Sequence, residues 1–309
     1  MAIQILKDKQ QDKFLDDEGY VVVPFLNAGE VKILADTFYA NHPESKEGLY
    51  ATAHSDSREF KQKLNDEILN QFTRAIGELF FECRPLGGSY IVKYKGEKGV
   101  LYPHQDWNIV DEDYYRSFNI WVPLVDTTEA NGAIAVLPHS HKLIKGYRGV
   151  NIADPFYKVN AYTLQYHKTL NMKAGEALIY DHRLLHASAV NQTDAPRLAV
   201  VFGIIPEKAE MRYYYMENGK VGEYENSVDF FFNHDILKGP QGLKKIKDID
   251  YEIPVVTEEE FDELYLGKKP QPREVEAQVP PEKPHRVVDP EEVNKSLFQR
   301  IMDWIGIGN

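Results

Sequence analysis

Apolar residues recur at three- and four-residue spacing over residues 7–17, 28–41 and 57–79, which predicts three helices in the N-terminal part of the chain. The β-branched run Tyr20-Val21-Val22-Val23 interrupts them and reads as a strand. From about residue 89 to 206 the texture changes to short β-branched and aromatic segments, beginning at Ser89, Phe118, Ala133, Ala177 and Leu198. Many short strands at this spacing predict a sandwich or barrel, so the fold class is α+β with the helices flanking an all-β core. Asn131-Gly132 sits between two of these segments and predicts a type I′ hairpin, in which both turn residues take φ > 0. The aromatic triplets Tyr213-Tyr214-Tyr215 and Phe230-Phe231-Phe232 need burial, which assigns residues 207–250 to the same domain, as a cap on the barrel.

Beyond residue 250 the pattern loosens. Seven of the 17 prolines fall in residues 251–309, with 13 acidic and 7 basic residues. This predicts an acidic, proline-rich linker over 251–290, its stretch 268–290 the most linker-like. Helical spacing returns over 291–309 through Val293, Leu297, Phe298, Ile301, Met302 and Ile305. So short an amphipathic helix is marginal alone in water, and is expected to dock on the domain or on a second subunit.

Composition narrows the class. At 43% hydrophobic and 12% aromatic residues, the 309-residue chain has ample material for a core and is not wholly disordered. A formal charge of −12 with no basic stripe argues against nucleic acid as a partner. The longest apolar runs, 20–26 and 198–205, are strand-sized, so no transmembrane segment is expected. The charge-dense opening has no secretory pattern, and a cytoplasmic protein is the expectation. Cys83 is the single cysteine, which excludes an internal disulfide and a thiolate zinc cluster. Any metal must be held by histidine and carboxylate.

One pair meets that requirement. In His104-Gln105-Asp106 an imidazole and a carboxylate two residues apart share one face of a strand. His186, 82 residues on, supplies a third ligand. Two histidines and one carboxylate make a facial triad that leaves three cis positions open, as non-haem iron(II) oxygenases require. Arg197 opens the apolar strand that follows and shares parity with Ala199 and Val201. An arginine aimed into a barrel calls for an anion, and its planar fork suits a carboxylate. Two rivals for the metal are weaker. His139 and His141, also two apart, follow a proline in a loop with no carboxylate partner, and His182 reads as a hydrogen-bonded structural residue on strand and turn.

The motifs HQDW at 104–107, FNIWVPLVDTTEANGAIAVLPHSHK at 118–142 and LLHASAVNQTDAPR at 184–197 resemble the phytanoyl-CoA dioxygenase family of iron(II)/2-oxoglutarate oxygenases, with likeness over roughly residues 13–206. A departure is His139, where family members usually carry glycine. The resemblance implies a double-stranded β-helix (jelly roll) over 89–206, within a domain of residues 1–250, and iron(II) held by His104, Asp106 and His186. It implies that Arg197 binds the distal carboxylate of the cosubstrate 2-oxoglutarate, that Ser188 assists it, that Trp121 lies against it, and that O2 is the oxidant. Related halogenases have a small residue at the carboxylate position, so Asp106 favours hydroxylation of a small organic substrate.

Period two places Ser89, Ile91 and Lys93 on one strand face, within reach of a cosubstrate pocket, though Ile91 as plain core and Lys93 snorkelling to water fit equally. Tyr102, Gln105 and Trp107 flank the metal pair as substrate contacts or as packing. Two other functional classes remain open: a zinc metallohydrolase on the same three ligands, and a catalytically silent jelly-roll binding module. No residue pattern names the substrate.

Overall fold

A computed structural model describes residues 4–41 and 47–267. The expected C-terminal helix over 291–309 and the stretch 268–290 lie outside the described residues. The first three helices fall where periodicity put them: α1 (Lys9–Glu18), α2 (Ala28–Ala40) and α3 (Arg58–Leu79). Each has a polar N-cap. Asp8 caps α1, Asn27 closes a capping box with Glu30 on α2, and Ser57 caps α3, so the first amides of each helix find acceptors.

The strands before residue 207 are β1 (Tyr20–Pro24), β2 (Leu49–Ala51), β3 (Cys83–Lys93), β4 (Leu101–His104), β5 (Phe118–Pro123), β6 (Ile134–Val136), β7 (Lys168–Thr169), β8 (Glu176–Asp181), β9 (His186–Ser188) and β10 (Arg197–Pro206). A short helix, α4 (Asn160–Thr163), leads into β7. Six strands form one antiparallel sheet in the order β1-β8-β5-β10-β3-β2, and four form a second in the order β4-β9-β6-β7. The two sheets make a jelly roll.

The large sheet is buried on both faces, which is why its strands read as continuous apolar runs. Val92, Ile120, Val122, Ile179, Val200 and Phe202 face the three helices in one core cluster. The alternate residues Trp121, Leu178, Tyr180 and Ala199 face the small sheet and meet Ile134 and Val136 of β6. Arg197 keeps the parity of Ala199 and therefore points between the sheets, where it is 2% exposed.

Two expectations are corrected. Asn131-Gly132 is no type I′ hairpin, because β5 and β6 belong to different sheets and the chain crosses between them. Residues Glu129–Asn131 form a 3-10 turn, and only Gly132 takes a left-handed φ, of 74°. The Asn131 amide is used locally, its Oδ1 accepting from the Thr128 amide and its Nδ2 donating to Asp126 O, which substitutes for a hairpin ladder. Gly132 also passes so close to Ala189 O that a Cβ would meet it at 2.5 Å. The linker expected from residue 251, in turn, begins as packed chain. Tyr251 packs with Tyr147, and α6 (Glu258–Leu266) buries Phe261 against Phe156, with Val256 beside it. Its capping box between Thr257 and Glu260 is the start signal that the proline count obscured.

Residues 207–250 add a separate antiparallel sheet of β11 (Arg212–Glu217), β12 (Lys220–Glu225) and β13 (Lys245–Ile249), with α5 (Val228–Asn233) between the last two. The two aromatic triplets meet here, Phe230 lying edge-on to Tyr213 at 5.3 Å.

At the end of β8, Asp181 is 1% exposed and accepts from Arg116 Nε at 2.7 Å and from Arg183 Nε and Nη2 at 2.9 and 2.8 Å. Burial raises its carboxyl, but the two guanidinium groups outweigh that and hold it well below the ordinary range. Asp181→Asn leaves Arg183 without its carboxylate, while Arg116 keeps Asp16, and is expected to destabilise the protein by about 3 kcal/mol. Because the folded pKa is depressed, the wild-type advantage in urea unfolding should be constant between about pH 5 and 8 and shrink only in acid, as pH falls below the ordinary carboxylate value of about 4. Coincident unfolding midpoints at pH 7 would show that the ion cluster contributes nothing.

Candidate metal centre

β4 and β9 are neighbours in the small sheet, and their register sets His104 directly opposite His186. The imidazole centroids are 4.3 Å apart. His104 is the last residue of β4, so Asp106 is not held by strand pleat as its spacing suggested. Its backbone amide instead donates to His182 O at 2.8 Å, which turns the carboxylate back to the imidazoles. Asp106 Oδ1 lies 3.8 Å from His104 Nε2 and 3.9 Å from His186 Nε2, and the three donor atoms fall within 4.8 Å of one another.

The remaining atoms of the three side chains are committed elsewhere. His104 Nδ1 donates to Tyr102 O at 2.8 Å and His186 Nδ1 to Leu184 O at 3.0 Å, which fixes both tautomers with the Nε2 lone pair facing inward. Asp106 Oδ2 accepts from Asn119 Nδ2 at 2.8 Å, leaving Oδ1 for the centre. Burial, then the neighbouring His186, lowers the His104 pKa to about 4, so that ring is neutral near pH 7. Burial raises the Asp106 carboxyl, yet the imidazoles of His186, His182 and His104 together with Asn119 bring it below its ordinary value. One carboxylate and two imidazole donors, each oriented by a second hydrogen bond, fit a divalent cation of the iron or zinc type.

The triad opens into a cavity of about 410 Å³. Arg197, Ser188, Trp121, Ile134 and Ile91 line it together with the three donors. The Arg197 guanidinium stands 5.2 Å from the Trp121 ring centroid, Nη1 donates to Gly132 O, and Nε has no partner among the described residues. Burial lowers its pKa to about 10, so the guanidinium stays charged. Much of the remaining lining is apolar, with Leu49, Ala51, Ile109, Ile152, Phe231 and Ile236. A smaller cavity of about 210 Å³ shares Ile109, Asn119, His182, Val201 and Phe231 with the first.

Other predicted positions fall as follows. Ser89 lines the smaller cavity and not the one holding the triad. Gln105 and Trp107 line the main cavity, whereas Tyr102 is 54% exposed and contributes only its carbonyl. His139 and His141 are tied to α1, with Nδ1 of His139 at 2.9 Å from Asp17 O and Nε2 of His141 at 3.0 Å from Asp16 O. His182 is buried and its Nδ1 lies 3.0 Å from Ser117 Oγ, while its Nε2 has no partner among the described residues.

Asn119 and Arg148 were missed. Asn119 shares the inward parity of Trp121, and a lone amide at an inward strand position was a readable signal. Arg148 carried none: it reaches from a loop to donate Nε to Asp106 O at 2.7 Å while Glu112 takes Nη2 at 2.6 Å.

The profile of the phytanoyl-CoA dioxygenase family matches residues 15–199. A phytanoyl-CoA dioxygenase of Arabidopsis thaliana is 30% identical over 122 residues, covering 38% of this chain and 42% of that protein. A phytanoyl-CoA dioxygenase domain-containing protein 1 of Danio rerio is 27% identical over 128 residues, covering 39% and 44%. The chain thus spans less than half the length of the curated relatives it matches. Among solved structures, HygX from Streptomyces hygroscopicus with nickel, 2-oxoglutarate and hygromycin B bound is 17% identical, covers 65% of this chain and 88% of that one, and has a TM-score of 0.46.

Alanine at His104, Asp106 or His186 should abolish tight binding of iron(II) or manganese(II), read by calorimetric titration, without loss of the folded far-ultraviolet spectrum. Asn119→Ala should weaken the same binding by about 10- to 100-fold, the usual effect of losing a hydrogen bond to a metal ligand. Unaltered metal affinity in the His186→Ala protein would remove this residue from the site.

Proposed function

The chain belongs to the phytanoyl-CoA dioxygenase family, and on that premise we propose that it is an iron(II)- and 2-oxoglutarate-dependent oxygenase hydroxylating an unactivated C–H bond of a small organic molecule. The observation that carries this reading is one cavity holding both the His104–Asp106–His186 donors and a buried arginine, Arg197, that makes no ion pair with any described carboxylate. Iron(II) bound by those donors supplies, with O2, the oxidative decarboxylation of 2-oxoglutarate to succinate and CO2 coupled to hydroxylation.

The chain's own residues do the rest. Arg197 receives the distal carboxylate of 2-oxoglutarate in a charge-assisted fork, with Ser188 beside it and Trp121 and Ile91 along the flank. Asn119 holds Asp106 so that one oxygen faces the centre. The apolar wall positions the substrate and keeps water out. A zinc hydrolase would use the same three donors, but it gives Arg197 no anion; a silent binding module gives the oriented donors no use. Neither is favoured.

No helix among the described residues is long and apolar enough to cross a membrane. A cytoplasmic setting is supported by the lone, unpaired Cys83, and a small-molecule substrate by the size of the cavity.

The test is succinate release from 2-oxoglutarate by the purified protein with iron(II), compared with zinc(II). Release is expected with iron only, and hydrolytic activity with zinc in its place would overturn the reading. Arg197→Ala should raise the KM for 2-oxoglutarate by at least about 30-fold, corresponding to the 2–5 kcal/mol lost with one partner of a buried charge pair, while iron affinity stays near wild type. An unchanged KM would mean that 2-oxoglutarate is not the ligand of this arginine.

A further inference from the structure

Behind Arg197 lies a second buried basic side chain. Lys93, the last residue of β3, is the direct cross-strand partner of Arg197 and is 0% exposed. It does not snorkel to water. It shares the inward face of Ser89 and Ile91 and crosses between the sheets to β9, where Nζ donates to Ser188 Oγ, to Ser188 O at 3.0 Å and to Ala189 O at 2.5 Å. Two glycines make room for its stem: a Cβ on Gly132 would stand 3.0 Å from Lys93 Cδ, and one on Gly99 would stand 3.1 Å from Cγ.

Two like charges at one register position, both out of water, oppose each other. Among the described residues no carboxylate forms an ion pair with either, whereas Arg148, as deeply buried, takes Glu112. Burial, then Arg197, pulls the Lys93 pKa down to about 6. Three oxygens around Nζ work in the other direction and favour the ammonium. An arrangement of this kind is short of one anion.

We propose that Lys93 is a positioning residue of the 2-oxoglutarate anchor, acting through Ser188. By donating to Ser188 Oγ, Lys93 occupies a lone pair of that hydroxyl and leaves its proton free for the carboxylate that Arg197 holds. The relay runs from Nζ–H to Oγ–H to the ligand, each donor strengthening the next. The inference rests on the 2-oxoglutarate reading and goes beyond it in giving the distal carboxylate two basic residues, Arg197 in contact and Lys93 relayed. A plain alternative is a clamp in which Lys93 only ties β3 to β9.

The two are separated by calorimetry on the manganese(II)-loaded protein with two probes, 2-oxoglutarate and 2-oxopentanoate, which has the same chain with a methyl in place of the distal carboxylate. Wild type should bind 2-oxoglutarate far more tightly. In Lys93→Met the preference should fall by about tenfold or more while 2-oxopentanoate affinity is kept. Ser188→Ala should show the same selective loss, and the double variant should lose no more than either alone, since both break one relay. Equal weakening of both probes in Lys93→Met, alongside a lowered Tm, would mean a clamp and overturn the proposal. Should Lys93→Met not fold, Ser188→Ala decides alone: an intact preference there removes the relay. No preference in wild type would instead bring down the 2-oxoglutarate reading itself, a result distinct from the others.

Discussion

A charge placed between two packed sheets has to find a counter-charge, and most of what is unusual in this molecule follows from how each buried ion meets that requirement. Asp181 is neutralised by Arg116 and Arg183, and Arg148 by Glu112. Asp106 is different. It is held by the Asn119 amide and faced by imidazoles, with no described lysine or arginine side chain paired to it, and the three donors together could hold a cation. Arg197 presents the opposite deficit in the same cavity. The cavity therefore holds a carboxylate that no described lysine or arginine pairs with and a guanidinium that no described carboxylate pairs with. A ligand that bridges a metal and a carboxylate anchor satisfies both at once.

Strand parity makes this arrangement affordable. In the large sheet every second residue belongs to the helix-covered core, and the alternate residues alone face the cavity. Val92, Val200 and Phe202 stabilise the fold on one side, while Ile91, Lys93 and Arg197 stand on the other without disturbing it. The site thus draws on residues whose neighbours in sequence are the most firmly buried in the protein, which gives its side chains a rigid base.

Parity also explains what the sequence could reveal. The three helices, the inward aim of Arg197, and the histidine–carboxylate set were legible because each depends on a local period or on a residue type that has few uses inside a barrel. That His104 and His186 would stand directly opposite each other in one sheet was not legible from local period, since a contact across 82 residues leaves no local mark. The Asn131-Gly132 turn misled, because a dipeptide cannot show whether the strands beside it share a sheet. Lys93 was ambiguous for a similar reason: period two gave its face, but whether its long side chain would turn to water or cross to Ser188 depends on the opposite sheet. Arg148 and Glu112 meet through loops and could not be read at all.

The chemistry and the shape of the cavity come from different stretches of chain. All three metal donors, Ser188 and Arg197 lie inside the span matched to the family, which ends at residue 199. Val201, Phe231 and Ile236, which close the apolar side of the same cavity, lie beyond it. Ile236 packs on the aromatic cluster that Phe230 of α5 makes with Tyr213 and Tyr224, whereas Phe231 packs with Leu86 of β3 and Ile205 of β10. A change in that cluster can reshape the apolar lining without moving a metal donor, because the donors are fixed by β4, β9 and the Asn119 amide on β5. The family match accordingly bears on the three candidate donors and Arg197, and the apolar lining beyond it has to be read from this chain itself.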